Sequence, residues 1–124
     1  MFVTFNPESE TGFELHEGTP TLAVMQEAVG GLIEPVDVFG DEDGVVSMYV
    51  NEEGLYLCEP TLILTTENYG DQVINGPVIF ARMRFSDGET VPLTQEDVDK
   101  VIEAYKGARL TSVGFLTYLE FLNG

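Results

Sequence analysis

The sequence predicts an α+β fold, a small antiparallel meander with two covering helices in a single domain, on three observations. Two segments carry apolar residues at helical spacing behind capping signals. The segments between them alternate at period two, and the separators are turns rich in glycine, aspartate and asparagine. With 44% apolar side chains, eight Phe and five Tyr in 124 residues, the chain can fill a core, so its acidity is not a mark of disorder.

In chain order, Phe2, Val3, Thr4 and Phe5 alternate as a strand that Asn6-Pro7 closes. Thr19-Pro20 reads as an N-cap with proline at the first helical position. Leu22, Met25 and Val29 then share a face and Gly30-Gly31 stops the helix, which predicts a helix over 20–29. Residues 32–39, 45–50 and 55–58 read as three strands of a meander, parted by Gly-Asp-Glu-Asp-Gly and Asn-Glu-Glu-Gly turns. Pro35 lacks a ladder donor, which puts the first of them at an edge or a bulge. Residues 60–70 are too short for periodicity to separate helix from strand, and the reading leans to a short helix. Over 77–85, Ile79, Ala81, Met83 and Phe85 face one way and Val78, Phe80, Arg82 and Arg84 the other. Thr94 and Asp97 form a capping box ahead of Val98, Val101, Ile102 and Tyr105, and Gly107 ends that second helix. The domain is assigned to 1–109. Residues 110–124 form an apolar extension, a buried element or an interface.

Charge narrows the partner class. No lysine or arginine occurs before Arg82, while fifteen of the 22 acids do, and the formal charge is −17. Such a field repels nucleic acid and anionic membrane and attracts basic surfaces. Duplex DNA carries a charge per roughly 1.7 Å, so 17 charges span about 29 Å, close to the ~35 Å diameter expected of a domain this size. Mimicry of DNA needs the acids on one face. The turn acids Asp41, Glu42, Asp43, Glu52 and Glu53 sit at opposite ends of one predicted strand, some 20–25 Å apart at about 3.4 Å per residue.

Catalytic and cofactor signatures do not emerge. His16 is the single histidine and Cys58 the single cysteine, a thin basis for a nucleophile and its base. Asp41-Glu42-Asp43-Gly44 lacks the flanking acids of an EF-hand, for Phe39 and Val50 hold those places, and one Cys with one His falls short of a zinc set. No phosphate-binding glycine motif is present. The expectation is therefore a non-enzymatic protein without metal or cofactor. The lack of a leader pattern at the start, and of any long apolar run, places it in the cytoplasm.

Three segments carry a resemblance: AVMQEAVGGLIEPV over 23–36, MYVNEEG over 48–54 and LTQEDVDKVI over 93–102. In order and spacing they resemble the phage and bacterial domain of unknown function 3846, over roughly residues 2–106. Gln26, Gly30, Gly31, Ile33 and Glu34 fall on its first motif, and Asn51, Glu52, Glu53 and Gly54 on its second. The family often continues into Gly-Leu-Pro-Pro-Asn where this chain has Tyr56-Leu57-Cys58-Glu59-Pro60-Thr61, and the tail after Arg109 has no counterpart. The resemblance implies an accessory product of phages and mobile elements.

Together these readings predict a host protein with a basic groove, a nucleic-acid-binding defence factor, as the partner, bound through Asp41, Asp43, Glu42, Glu52 and Glu53. The alternative is a sponge for a signalling nucleotide, with Tyr49, Tyr56, Phe80, Arg82 and Arg84 around a pocket. A homo-oligomer through 110–124 is the third possibility.

Overall fold

A computed structural model describes residues 1–7, 12–67 and 69–122; Glu8, Ser9, Glu10, Thr11, Asn68, Asn123 and Gly124 therefore lie outside the described residues. Among the described residues the chain is mostly β, with 52% in strands, three helices and largely antiparallel sheets. The elements run β1 (Phe2–Phe5), β2 (Phe13–His16), α1 (Leu22–Val29), β3 (Ile33–Gly40), β4 (Gly44–Asn51), α2 (Gly54–Leu57) and β5 (Pro60–Thr66). They continue through β6 (Gly70–Asn75), β7 (Val78–Arg84), β8 (Thr90–Val91), α3 (Gln95–Ala104), β9 (Tyr105–Thr111) and β10 (Gly114–Phe121).

Two sheets result where one meander was expected. The first has the order β2-β1-β7-β4-β3, with β8 pairing on β7, and the second has the order β6-β5-β10-β9. Among the described residues every pairing is antiparallel except β5 with β10. The sheets share one core, in which Met48, Val78 and Phe80 of the first meet Leu62, Leu64, Leu119 and Phe121 of the second, with Val98 and Val101 of α3. On the reverse face of the first sheet, Met25 and Val29 of α1 cover Phe2, Tyr49, Ile79 and Ala81. Strand β7 is thus buried on both faces, which explains its unbroken Val-Ile-Phe-Ala run.

Local signals hold where the physics is local. Strand β1 has the expected limits, and Pro35 lies on the edge strand β3, which carries a bulge between Asp37 and Phe39. The α3 capping box is complete: the Thr94 hydroxyl accepts from the Asp97 amide, and the Asp97 carboxylate accepts from the Thr94 amide. Alternation along β7 puts Val78 and Phe80 in one core and Ile79 and Ala81 in the other, as expected.

Five expectations are corrected. The cap of α1 is Thr21, whose Oγ1 accepts from the Val24 amide at 3.2 Å, so the helix starts at Leu22 and Pro20 precedes the cap. Residues 55–58 do not form a third meander strand. The amides of Tyr56 and Leu57 turn back to the Glu53 carbonyl, and the edge of β4 that such a strand would need is taken by β7. Residues 60–66 form β5 and not a helix, with Leu62, Leu64 and Thr66 buried on alternate positions and β-branched Thr61, Ile63 and Thr65 among them. The second helix stops at Ala104 without reaching Gly107, whose φ of 86° falls inside β9 at a break in register against β10. Finally, a boundary at residue 109 cuts through β9. The presumed extension supplies β10, which lies between β5 and β9 with Leu116, Leu119 and Phe121 buried.

Candidate interaction surface

The two acidic turns do stand at opposite ends of β4, but they are built differently. In the first, Asp41 folds its carboxylate over its own turn, where Oδ1 accepts from the amides of Asp43 at 2.9 Å and Gly44 at 3.1 Å. Arg82, on the neighbouring strand β7, donates Nη1 and Nη2 to the two Asp41 oxygens at 3.0 and 2.9 Å. The same guanidinium donates Nε and Nη2 to Asp97 at the start of α3, both at 2.8 Å. One arginine thus forks into two carboxylates and ties the β3–β4 hairpin to α3.

The electrostatics follow from that geometry. Hydrogen bonds from Arg82, then the amide of Asp43, hold the Asp41 carboxyl down at about 2. Burial pushes the Asp97 carboxyl up, yet the Arg82 guanidinium and the Thr94 amide outweigh it and leave the group below the usual range. Hydrogen bonding to Asp97 and Asp41 raises Arg82 in turn. All three groups stay ionised at neutral pH. Beside them Arg84 pairs with Asp87 at 2.6 Å, and Lys100 with Glu96 at 3.7 Å while lying over the Phe39 ring. Glu42 and Asp43 remain exposed at the hairpin tip.

At the other end neutral groups do the holding. The buried Asn51 side chain donates Nδ2 to the Val29 carbonyl at 3.1 Å and accepts on Oδ1 from the Glu53 amide at 2.8 Å. Gly30, in the left-handed region at φ 79°, caps α1 with its amide on the Gln26 carbonyl. A side chain on Gly31 would stand 2.9 Å from Asn51 Nδ2, and one on Gly54 would stand 3.0 Å from the Asn75 carbonyl oxygen, so a larger residue at either place would press on the groups that hold this turn. The Glu52 amide bonds to the Leu32 carbonyl, and Ile33 and Glu34 pair with Asn51 and Val50. The Gln-x-x-x-Gly-Gly-x-Ile-Glu and Asn-Glu-Glu-Gly segments, some 20 residues apart in sequence, therefore form one unit. It presents Glu52 and Glu53 to solvent, followed by Leu55, Tyr56 and Leu57 of α2 at 76%, 85% and 65% exposure.

The family described as Domain of unknown function (DUF3846) matches residues 3–106. The chain belongs to this family. No curated protein and no solved structure matches it. The DUF3846 match ends just after β9 begins, so the remainder of β9 and all of β10 lie beyond it, although β10 is an inner strand of the second sheet.

The residues of the nucleotide alternative are not brought together. Tyr49 is buried under α1, where burial and then Asp37 raise its hydroxyl, while Phe80 lies in the opposite core, because neighbouring positions of paired strands face opposite ways. Arg82 is enclosed by Asp41 and Asp97, Arg84 is held by Asp87, and Tyr56 stands exposed on α2. His16 and Cys58 are likewise apart in role: the histidine bonds the Thr4 hydroxyl at 2.8 Å and stacks on Phe2, and the cysteine packs where a side chain on Gly76 would stand. What the sequence reading missed is the partner of Arg82 on α3 and the Leu55-Tyr56-Leu57 ridge. A run of three large apolar residues between Glu53 and Glu59 was the available signal for the ridge.

No helix among the described residues is long and apolar enough to cross a membrane.

Proposed function

We propose that this DUF3846 protein is a non-enzymatic binding protein of a phage or mobile element that acts in the host cytoplasm. It occupies the basic groove of a host nucleic-acid-binding defence protein in the manner of DNA. The observation that carries this reading is the placement of charge. Every cation follows residue 81, and three of the five are held by carboxylates of the chain itself, so exposed Glu27, Glu34, Glu52 and Glu53 face solvent with no cation nearby in sequence. Glu42 and Asp43 continue the field at the far end of β4.

The experiment is a binding panel of host nucleases and restriction factors, competed with duplex DNA and repeated across salt. Binding that DNA displaces, that weakens steeply as salt rises, and that Glu52→Lys/Glu53→Lys abolishes supports the reading. Binding indifferent to salt and to DNA would sink it.

A further inference from the structure

The four-stranded sheet has two unlike edges. One, β9, carries two cations, Lys106 and Arg109, and no acid; the one acid of β10 beside it, Glu120, stands at its far end from the hairpin turn and lines a groove with Glu103 and Lys106. Arg109 lies over the Tyr118 ring at 4.1 Å, and neither cation has a carboxylate within ion-pair distance among the described residues. The β9–β10 hairpin also exposes Leu110 and Phe115, paired across it, at 73% and 72%. The other edge, β6, packs on α2, since the Asn75 side chain donates to the Cys58 carbonyl and the Cys58 amide closes α2. Here the acids are Glu52, Glu53, Glu59 and Asp71, there is no cation from residue 52 to residue 75, and the apolar groups are Leu55, Tyr56 and Leu57.

We infer that the cationic β9–β10 hairpin of one copy docks on the acidic α2 ridge of the next, building a head-to-tail assembly. Charge decides the occupant. A second ridge would set acids against acids, and a second hairpin cations against cations, whereas the ridge and the hairpin are opposite in sign and both apolar at the centre. The edges lie across three strand spacings, roughly 14 Å, on opposite sides of one sheet, so using one leaves the other free and the contact is heterologous. Screening limits long-range repulsion between molecules of charge −17 to about 8 Å at physiological salt, and local complementarity then dominates. This inference shares Glu52 and Glu53 with the proposed host contact, but its test uses the chain alone and no host protein, so either reading can fail while the other stands.

Two blocked variants test it by light scattering and sedimentation. Lys106→Glu/Leu110→Glu spoils the hairpin and Leu55→Asp/Tyr56→Asp the ridge; all four side chains are exposed, and circular dichroism checks folding. The wild type is expected to grow with concentration beyond twice 13.7 kDa, each variant to remain at 13.7 kDa, and their mixture to stop at twice that mass, one intact junction per pair. Leu110→Ser and Tyr56→Ser provide a second pair that alters no charge. A wild type that stays monomeric overturns the inference. So does a ridge variant that associates as the wild type does, since that means hairpin-to-hairpin pairing, or a mixture of folded variants that fails to pair.

Discussion

The two ends of β4 look alike in sequence, each a glycine-bounded acidic turn, and differ in what the acids do. At the hairpin end, Asp41 turns inward to Arg82, which also holds buried Asp97, so charge there serves cohesion between a hairpin and a helix. At the Asn51 end, an amide and two glycines hold the backbone and leave Glu52 and Glu53 free. The difference teaches that acidity in this chain has two uses, and that charge density alone does not tell them apart. A carboxylate is available to a partner only where a neutral group has taken over its structural work.

The largest expected effect breaks the first end. Arg82→Ala leaves Asp97 buried without its cation and is expected to lose about 3–5 kcal/mol of stability by urea denaturation. A loss as small as that of an exposed pair would mean that the hairpin and α3 hold together without it. Next, Asn51→Ala strands the Val29 carbonyl and is expected to lose about 1–3 kcal/mol, and Gly54→Ala a similar amount by pressing on the Asn75 carbonyl. If Asn51→Ala is neutral, the neutral-scaffold account of the second end fails.

Acid titration sharpens the contrast. Asp41 is held at about 2 against an ordinary 3.8, so its contribution is fully present above 3.8 and is lost as pH falls through about 2. The gap in urea midpoint between wild type and Asp41→Asn should therefore hold from neutrality to near pH 4 and close below it; a gap that vanished already at pH 5 would contradict the pairing. The smallest effect belongs to Glu52→Gln/Glu53→Gln, expected to change stability by less than about 0.5 kcal/mol, in the stabilising direction and only at low salt. A marked loss on thermal melting would show that these acids are structural after all.

Much of this was legible residue by residue. The capping box at Thr94 and Asp97, the alternation of β7 and the edge placement of Pro35 were all readable, because each signal acts within a few positions of itself. Of the candidate site, the acids at both ends of β4 were legible as turns, but their roles were not. Leu55-Tyr56-Leu57 reads as a strand by composition, and it forms a helical turn because the edge of β4 that it would need is taken by β7.

By itself, then, the sequence determined the turns, the caps, the apolar alternation and the segregation of charge, since these follow from backbone sterics, hydrogen bonding within a turn and composition. Tertiary structure decided which strands pair, that β10 enters the middle of a second sheet, and that Arg82 bridges residues 41 positions before it and 15 after it. The choice rests on which arrangement buries the most apolar surface while leaving no buried charge unpaired, a property of the assembled whole and of no single segment.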